Sequence, residues 1–540
     1  MQLTRLALSA NLAVALSSLA SAQSSFGRED RSISQPFLTV GLGATVEVDG
    51  DRAIASDSGS VVIFTPTTAR IYERGVNGEW LEEGVFTSST PGANLGFGAA
   101  LALDGDTAII GEPGTQFDAG KVYVVERLAG TWTVTSVFGA PIPALADRFG
   151  AAIALDGNRA IIGAPGANSS RGEVHVFDRD PVSGVWSPSA AIDLAGAAPT
   201  ELFGYRVELV DDRVLASAPN RDVGAVIGAG SVHAFKEQSA GSWVQTQVIT
   251  STSPGINHDF GTAMAAQGER LVVGAASDNQ AGALNGAAHV FDRDATGTNW
   301  LPVDVLRVPN DPSVGFFPSL ASVAAGEASV VVGHYSSPGA LHVFEETTAG
   351  TFRPAVRLEP SNLPATPSVT VGLGASLATD GDTLLAGVPA GGPPGLLGMS
   401  GEVYEFTLGT LYHDANAVLL PGPGAQRHFV RATDAHAFDF YYFLGTASGT
   451  VPGTIDPVSG LSIPINVDPY TTFLISTGGA GLTAPFGVLD ANGRAKSAFV
   501  LPPFSSPSLA GTRLGFCALV IDSTTFVATA VTNAVSADLE

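Results

Sequence analysis

Cysteine is nearly absent from this sequence, because Cys517 is the only one among 540 residues. A single cysteine excludes an intramolecular disulfide, even in an oxidising compartment. Cys517 lies in the apolar run LGFCALVI, which is typical of a β-strand. We therefore expect a buried structural thiol rather than a nucleophile.

Basic residues are also few: Lys and Arg number 26 against 51 Asp and Glu, for a formal net charge of −25. Such an acidic surface repels phosphate backbones, so the composition argues against nucleic acid as a partner. Charged residues make up only 14% of the chain, but hydrophobic residues reach 45%, which suits a large buried core. Abundant glycine and few windows with the helical period favour an all-β chain.

Long apolar runs are confined to the N-terminus. A predominantly apolar run, residues 6–19, follows Arg5 and precedes the small-residue pattern Ala20-Ser21-Ala22. This pattern predicts a secretory signal peptide over residues 1–22. No later run reaches the roughly 18 apolar residues that a spanning helix needs. We expect a mature chain that is secreted or at the cell surface, monomeric, and without a membrane span.

A short segment recurs seven times. FGAALALDGDTAIIGEPG, which begins at Phe97, is followed 52 residues later by FGAAIALDGNRAIIGAPG at Phe149. Aligned on the second residue, the seven segments lie at Gly43, Gly98, Gly150, Gly204, Gly261, Ala321 and Gly374. A regular period of this size indicates a solenoid, a propeller or an array.

Each repeat shows the pattern of four short strands. An apolar run such as AAIALDG leads into a tight turn, and a second, more apolar run such as RAIIGAP follows. A variable loop precedes a third run such as EVHVFDR, and a fourth run begins at an aromatic residue. These aromatic residues are Trp80, Trp132, Trp186, Trp243, Trp300 and Phe352. Four antiparallel strands per repeat are typical of a β-propeller blade.

The repeats resemble FG-GAP repeats, the blade motif of the integrin alpha-subunit propeller, and are closest to the bacterial variety. The shared pattern is FG…ALDGD.AIIGAP…G.V.VF.R…W over residues 40–406. The resemblance implies a seven-bladed β-propeller, which we place at residues 23–408. The seventh repeat lacks a fourth strand. We expect Ser32–Val40 to supply it and close the ring, with Leu408–Leu420 as the alternative donor.

Calcium is the cofactor that the resemblance raises. Integrin-type blades often carry a loop like D-x-D-x-D-G between the second and third strands, whose alternate oxygen ligands wrap one cation. The corresponding loops are 112–121, 164–173, 218–231, 275–288, 334–340 and 388–402. None has three alternating ligands, and Asp278-Asn279 comes nearest. We therefore expect no calcium and no other cofactor, and we assign no metal-binding or catalytic residue.

Two recurring residue types resemble sites. Asp residues flank the turn glycine at Asp49/Asp51, Asp104/Asp106 and Asp380/Asp382. We interpret them as turn residues, because catalytic carboxylates must converge on one cleft. One third-strand position holds His175, His233, His289 or His342 in four repeats, and Tyr72, Tyr123 or Tyr404 in the others. A position that accepts either ring favours packing with a hydrogen-bonded polar tip over metal binding.

The repeats end near Phe406, and eight candidate strands follow a boundary at 420–428. They include TTFLIS at Thr471–Ser476 and two strands joined by Asp490–Gly493, which has the pattern of a hairpin turn. Eight short strands in this length predict a C-terminal β-sandwich, residues 409–540. Three histidines lie near three aspartates in sequence, which leaves a metal or hydrolytic site open there. These residues are His413, His428, His436, Asp414, Asp434 and Asp439.

Three functions are open from the sequence. An exported, non-catalytic binding or adhesion protein, with a rigid propeller face presented to a protein or glycan, fits the variable loops best. A secreted hydrolase or lyase with a site in the propeller channel is the first alternative, although G-x-S-x-G and H-E-x-x-H motifs are absent. A structural component of the cell envelope or matrix is the second. The sequence favours the first, so we do not expect an enzyme.

Overall fold

β-Strands dominate the computed structural model, which confirms the all-β class. The structure describes residues 31–34, 41–57, 67–75, 79–90, 96–278, 286–308, 319–326, 329–335, 340–347, 350–358, 372–381, 383–389, 401–407, 411–413, 417–418, 424–431, 436, 438–448, 454–455, 462–463, 466–477, 482–489, 494–501, 512–531 and 535–539. The predicted signal peptide lies outside these residues.

The chain divides into two units by its internal contacts. The larger unit comprises residues 32–345 and 352–405, and the smaller comprises residues 406–540 with 1–31 and 346–351. The domain limits proposed from the sequence stay predictions.

The larger unit consists of four-stranded sheets, numbered here 1 to 7 along the chain, and sheets 1 to 6 each take four consecutive strands. Sheet 1 contains Thr45–Asp49, Arg52–Ser56, Thr68–Arg74 and Trp80–Thr87. Sheet 2 contains Leu101–Asp104, Thr107–Glu112, Lys121–Leu128 and Thr131–Phe138. Sheet 3 contains Ala152–Asp156, Arg159–Ala164, Glu173–Arg179 and Trp186–Ile192. Short helices, Thr115–Asp118 and Ala167–Ser170, lie between the second and third strands of sheets 2 and 3.

The next three sheets repeat this order. Sheet 4 contains Val207–Val210, Arg213–Ala218, Ser231–Ser239 and Ser242–Ile249. Sheet 5 contains Phe260–Gln267, Arg270–Ala275, Ala287–Arg293 and Trp300–Leu306. Sheet 6 contains Ser319–Ala325, Ser329–Tyr335, Ala340–Glu346 and Phe352–Leu358.

Sheet 7 combines the two ends of the repeat region. Its first three strands are Ser376–Asp380, Thr383–Val388 and Glu402–Thr407. The fourth is Arg31–Ser34, from the start of the described chain, which pairs Glu402–Thr407. Arg31–Ser34 therefore supplies the missing strand and overlaps the predicted donor, Ser32–Val40, whose last six residues lie outside the described residues. The alternative donor region contributes Leu411–His413 to a sheet of the smaller unit instead.

In sheets 1 to 5 the first two strands form a hairpin with a two-residue turn. Asp49 pairs with Arg52, and Asp104 with Thr107, so Gly-Asp occupies the loop in both. The turn glycines Gly50 and Gly105 have φ of +54°, a conformation that favours glycine because it has no Cβ. The second strand that follows is almost wholly buried, as its apolar sequence predicts.

Buried clusters join most neighbouring sheets of the larger unit. Ile54 and Ile71 of sheet 1 pack with Ile110 and Val125 of sheet 2, and similar clusters join sheets 2 to 3, 3 to 4, 4 to 5 and 5 to 6. Sheet 7 packs on sheet 1 through a cluster of the same kind that includes Tyr72. Tight packing of this sort tolerates little change in volume.

The repeated FG and GAP glycines meet where neighbouring sheets approach most closely. A Cβ on Gly163 of sheet 3 would lie 2.1 Å from the backbone oxygen of Gly204, the FG glycine of sheet 4. Gly387 of sheet 7 meets Gly43 at the start of sheet 1 in the same way, at 1.9 Å. No larger residue fits at these contacts, which gives the recurring motif a physical reason.

The smaller unit has two main sheets. The first pairs Leu411–His413, Gly424–Arg431, Arg494–Leu501 and Leu482–Thr483 in that order. The second orders Ala417–Val418, Val535–Leu539, Thr512–Ile521, Phe440–Thr446 and Phe486–Val488, with Ala528–Val531 also beside Thr512–Ile521. Thr454–Ile455 and Ser462–Ile463 form a separate pair. A shared core, including Phe443, Phe499 and Phe516, contains side chains from both main sheets.

Two predictions for this unit are wrong. Thr471–Ser476, predicted as a strand, lies in the helix Pro469–Thr477. Asp468 begins this helix, because its Oδ1 accepts a hydrogen bond from the backbone N–H of Thr471 at 2.8 Å. The strands on either side of 490–493 belong to different sheets, so they do not form the predicted hairpin. The turn residues themselves lie outside the described residues.

Cys517 is buried in the strand Thr512–Ile521 of the smaller unit, opposite Leu444 on the neighbouring strand. Burial raises the pKa of its thiol to about 12, so the reactive thiolate is strongly disfavoured. None of the described helices is long and apolar enough to cross a lipid bilayer.

Candidate functional site

The first strands of all seven sheets line a central channel in the larger unit. The channel contains two adjoining cavities, of about 200 and 250 Å³. Every strand contributes mainly aliphatic side chains, such as Leu101, Ile153, Met264, Val323 and Leu377. The charged residues that line it are Glu47, Arg206 and Glu208. The channel is therefore lined mainly by small and aliphatic side chains with three ionisable groups among them, but its exposed surface is mostly polar.

Glu47 and Glu208 occupy the same register position in sheets 1 and 4. Each lies opposite the third residue of its second strand, as Glu47 pairs with Ile54 and Glu208 with Leu215. In the five other sheets, this position is alanine. These alanines are Ala102, Ala154, Ala265, Ala324 and Ala378. A ring of small residues is thus interrupted by two carboxyl groups.

Burial dominates the electrostatics of both carboxyls. Desolvation raises the pKa of Glu47 from its usual 4.5 to about 8. It raises the pKa of Glu208 well above 4.5, and the charge of Glu47 adds to this, although Arg206 acts in the opposite direction. Within the described chain, neither carboxyl makes a hydrogen bond or ion pair that would compensate for its burial. Burial therefore favours the protonated form of both carboxyls.

Arg206 lies two residues before Glu208, immediately ahead of the first strand of sheet 4. Its guanidinium lies 4.8 Å from the ring centre of Tyr205 and donates a hydrogen bond to the backbone oxygen of Tyr205 at 3.2 Å. The guanidinium is thus held beside its own strand at the wider cavity of the channel.

The sequence analysis missed Glu47 and Glu208. The segments ATVEVDG and YRVELVDD look like ordinary alternating strands when each is considered alone. The signal appears only when the seven repeats are aligned on the second strand, because glutamate then replaces alanine in two of them.

The Asp residues of the turns lie away from this channel position and bond to neighbouring turns. Oδ2 of Asp49 in sheet 1 accepts a hydrogen bond from the N–H of Gly105 in sheet 2 at 2.6 Å. Asp104 does the same for the turn of sheet 3. Asp380 of sheet 7 does so for Gly50 of sheet 1, also at 2.6 Å. These carboxylates link adjacent sheets, and they do not converge on a common point.

The third-strand rings pack against the FG phenylalanines. Phe149 meets His175 edge-on, with ring centres 5.3 Å apart, and Phe97 meets Tyr123 in the same way at 5.0 Å. Burial lowers the pKa of His175 to about 4, as it does for His233 and His334. The part of the chain that the structure describes contains no group of three His, Cys, Asp or Glu residues that could hold a metal ion.

In two of the loops compared with calcium sites, the acidic residue contacts protein partners. Glu112 accepts a hydrogen bond from Tyr123 Oη at 2.8 Å and lies 3.3 Å from Nζ of Lys121. Asp278, in the nearest match to the motif, is buried 3.0 Å from the Arg307 guanidinium and 3.7 Å from His289 Nε2. A carboxylate already neutralised by arginine is a poor calcium ligand. In the smaller unit, His436 contacts Asp439 at 3.1 Å, and Asp414 and Asp434 lie outside the described residues.

One end of the larger unit exposes apolar loops. We call it the loop end: it contains the connections between second and third strands and those from each fourth strand to the next sheet. Phe117 and Ile142 of sheet 2 are 86% and 89% exposed there. Ile227 and Ile256 of sheet 4 are 62% and 68% exposed. Backbone hydrogen bonds join the paired loops, for example from Asn257 N–H to the Ile227 oxygen at 2.9 Å.

Comparison with known proteins identifies the repeats. Residues 80–125, 132–177 and 243–291 match the model of the FG-GAP repeat. The chain contains FG-GAP repeats. Each matched segment begins at the tryptophan of a fourth strand and ends in the third strand of the next sheet. No curated protein matches the sequence.

Solved structures resemble this FG-GAP chain only distantly. Saccharomyces cerevisiae Sqt1 is 12% identical, with a TM-score of 0.41, over 75% of this chain and 96% of that one. A Lactobacillus plantarum protein is 13% identical, with a TM-score of 0.42, over 62% and 88%. A candidate 6-phosphogluconolactonase from Bacteroides uniformis is 13% identical, with a TM-score of 0.40, over 58% and 84%. Similarity at this level assigns no activity.

Proposed function

We propose that the FG-GAP unit is a closed seven-bladed β-propeller, that the smaller unit is a β-sandwich, and that the exported protein is a non-catalytic binding protein. Its ligand is a protein that contacts the loop end of the propeller. The extracellular location rests on the predicted signal peptide and on the FG-GAP repeats.

The junction between sheets 7 and 1 supports a closed ring, because it repeats the contacts of the internal junctions. Arg127 of sheet 2 pairs with Glu73 of sheet 1 at 2.9 Å, and Arg179 of sheet 3 with Glu126 of sheet 2 at 2.7 Å. Arg74 of sheet 1 pairs with Glu405 of sheet 7 at 2.6 Å. The Asp-to-turn hydrogen bonds recur across the same three junctions. Sheet 7 therefore contacts sheet 1 in the same way as sheet 1 contacts sheet 2.

The exposed apolar loops carry the functional proposal. Phe117, Ile142, Ile227 and Ile256 all belong to the loop end, because both kinds of connection leave an antiparallel four-stranded sheet at the same end. Exposed apolar side chains that share one surface are a feature of protein interaction sites. Aliphatic and aromatic contacts favour a protein partner over a glycan.

The electrostatics of the channel supports a non-catalytic role. Hydrolysis by two carboxyls requires one ionised group and one protonated group, whose environments push their pKa values apart. Burial pushes the pKa of Glu47 and that of Glu208 in the same direction, upward, so their environments do not separate an acid from a base. A hydrolase or lyase with its site in the channel is therefore the weaker alternative.

Cell binding by the purified mature chain, residues 23–540, tests the proposal. We expect the labelled chain to bind intact producing cells, and protease treatment of the cells to abolish binding. A loop-end variant, Phe117→Ser with Ile227→Ser, should bind at least tenfold more weakly. The control is Val182→Ser, a residue 94% exposed in the sheet 3 hairpin at the opposite end.

Four outcomes would contradict the proposal. Equal binding by the loop-end variant and the wild type would remove the loop end as the contact surface. Loss of binding after glycosidase but not protease treatment would indicate a glycan. No binding at all, with release of sugars from a polysaccharide panel, would favour the hydrolase, and neither binding nor release would favour a structural envelope component.

A further inference from the structure

We propose that the loop end recognises an acidic segment of its partner protein that also carries large apolar side chains. The surface that recognises it, called here the loop-end patch, consists of Phe117, Ile142, Leu145, Arg148 and Arg171. This inference rests on the proposed function, because it names the chemistry of the partner at the same end of the FG-GAP unit. Adjoining loops, exposed apolar side chains and two arginines without carboxylate partners are the observations behind it.

Backbone contacts hold the loops of the patch together. The N–H of Ala146, in the connection from sheet 2 to sheet 3, donates a hydrogen bond to the backbone oxygen of Phe117 at 3.2 Å. Gly166, at the start of the next loop, lies so close to the backbone of Ala146 that no Cβ fits between them. The short helix Ala167–Ser170 follows, and Arg171 comes directly after it. The patch therefore spans adjoining loops of sheets 2 and 3.

The apolar side chains of the patch face solvent. Phe117, Ile142 and Leu145 are 86%, 89% and 73% exposed. Ile142 and Leu145 belong to the run APIPALA, residues 140–146, whose two prolines restrict the backbone, so less conformational entropy is lost when a partner binds. The fold does not need an apolar residue at Phe117, because Ser169 holds the corresponding place in the loop of sheet 3, which aligns without a gap.

Arg148 and Arg171 are exposed cations with no carboxylate partner among the described residues. Every other arginine of the larger unit whose side chain the structure describes pairs with a carboxylate, except Arg206, which stacks on Tyr205. Asp118, an exposed acid in the same loops, forms no ion pair with either arginine in the part of the chain that is described. A guanidinium presents a rigid fork of donors that matches a carboxylate, so both arginines are available to acids of a partner.

The fold does not require an arginine at position 171. The backbone oxygen of Arg171 accepts a hydrogen bond from the N–H of Phe203 at 2.9 Å, and that of Ala119 accepts the equivalent bond from Phe149 at 3.1 Å. Alanine thus serves in sheet 2 where arginine stands in sheet 3. The junction between the sheets therefore does not depend on the guanidinium.

The two chemistries of the patch select the partner together. An anionic glycan would satisfy the arginines but would leave the three apolar side chains uncovered, and a basic segment would be repelled by the arginines. The chain as a whole carries a net charge of −25, which repels an acidic partner elsewhere on its surface. The arginines therefore determine where an acidic segment binds, and the apolar side chains add contact area.

Selection from a random peptide library displayed on phage, with the mature chain, residues 23–540, as bait, tests this inference. We expect the enriched peptides to carry net negative charge and large apolar side chains. Selection with the variant Arg148→Glu, Arg171→Glu should enrich basic peptides instead, because the sign of the recognised charge is reversed. A variant that had merely lost its structure would not acquire the opposite preference.

Affinities of the most enriched peptide, labelled and measured by fluorescence anisotropy, separate the patch from general effects of charge. The variant Arg148→Gln, Arg171→Gln should bind at least about tenfold more weakly, since hydrogen bonds between charged groups are lost. Phe117→Ser should also weaken binding. The control Asn158→Asp, Val182→Glu changes the net charge by the same amount on exposed turns at the opposite end, and it should leave the affinity unchanged. Far-UV circular dichroism verifies that each variant folds.

Several results would overturn the inference. Enrichment of neutral or basic peptides by the wild type, no enrichment at all, or enrichment of the same peptides by the wild type and the reversed variant would each do so. Displacement of the peptide by heparin, which has no apolar side chains, at equal concentration would indicate an anionic glycan instead. Any of these results, with cell binding still lost in the loop-end variant, would leave the proposed function standing, so the two proposals fail separately.

Discussion

In the FG-GAP unit, stability should fall as the pH rises because Glu47 is buried. Replacement of Glu47 by Gln should remove this loss of stability. The pKa of Glu47 is about 8 in the folded chain against 4.5 when exposed. Below pH 4.5 the side chain is protonated in both states, so it contributes nothing. Between pH 4.5 and 8 it ionises only in the unfolded chain, so stability falls as the pH rises. Above pH 8 the loss levels off.

The magnitude follows from the size of the shift. Each pKa unit corresponds to about 1.4 kcal/mol, so a shift of roughly three and a half units costs up to about 5 kcal/mol. At pH 8.5 we therefore expect Glu47→Gln to be more stable than the wild type by about 3 to 5 kcal/mol. At pH 4.5 the two chains should agree within about 1 kcal/mol.

Urea unfolding followed by tryptophan fluorescence is the assay. All five tryptophans, at 80, 132, 186, 243 and 300, lie in outer strands of sheets 1 to 5, so the signal reports the larger unit alone. Glu269→Gln, which removes an exposed acid, is the control. Equal slopes of stability against pH for Glu47→Gln and the wild type would refute the reasoning, and so would a wild type whose stability rises between pH 5 and 8.

Four further predictions use the same fluorescence signal. Gly163→Ala should destabilise the unit by at least about 2 kcal/mol, because its Cβ would meet backbone at 2.1 Å; a smaller loss would mean that the sheets can separate. Asp104→Ala should lower the free energy of unfolding by about 1 kcal/mol, the value of its one hydrogen bond to the neighbouring turn. The control Asp156→Ala, which removes an exposed acid, should lower it by less than about 0.5 kcal/mol. Equal losses would contradict a role for Asp104 in linking the two sheets. Calcium and chelator should give the same melting temperature, because a site at 100 times its Kd would add about 2.7 kcal/mol and shift it upward. His175→Tyr should reduce the loss of stability at acid pH. The pKa of His175 is about 4 when folded and 6.5 when unfolded, so its contribution to stability is present above pH 6.5 and is lost by pH 4. An unchanged dependence of stability on acid pH would argue against burial of His175 as the cause of that loss.

The periodic parts of this fold could be predicted from the sequence because each repeat satisfies the same local requirements. The Asp-Gly turns, the buried second strands and the tryptophans of the outer strands recur with little change. The fourth strand of sheet 7 was also predictable, since an incomplete last repeat leaves a strand to be supplied from elsewhere. The identity of the repeats is confirmed by the FG-GAP match.

Features that depend on single residues or on non-local contacts could not be predicted in this way. Thr471–Ser476 has the β-branched and aromatic composition of a strand, but Asp468 caps it as a helix. The channel position depends on which residues of seven separate strands share one level. The strand register, and not any one segment, determines which residues share that level. Considered one segment at a time, Glu47 and Glu208 therefore look like ordinary strand residues.

The pairing of Arg31–Ser34 with Glu402–Thr407 has a consequence for how the chain acquires its structure. The two segments lie about 370 residues apart, so at ribosomal rates of ~5–20 residues per second the first waits roughly 20 to 70 seconds for the second. In the closed propeller that we propose, the earlier sheets wait for their closing strand throughout that interval, and an unpaired strand edge can pair with other molecules. Unlike a row of independent domains, the proposed ring is completed in a single late step. Any event that stops synthesis before Glu402 would therefore leave Arg31–Ser34 without the strand that it pairs with.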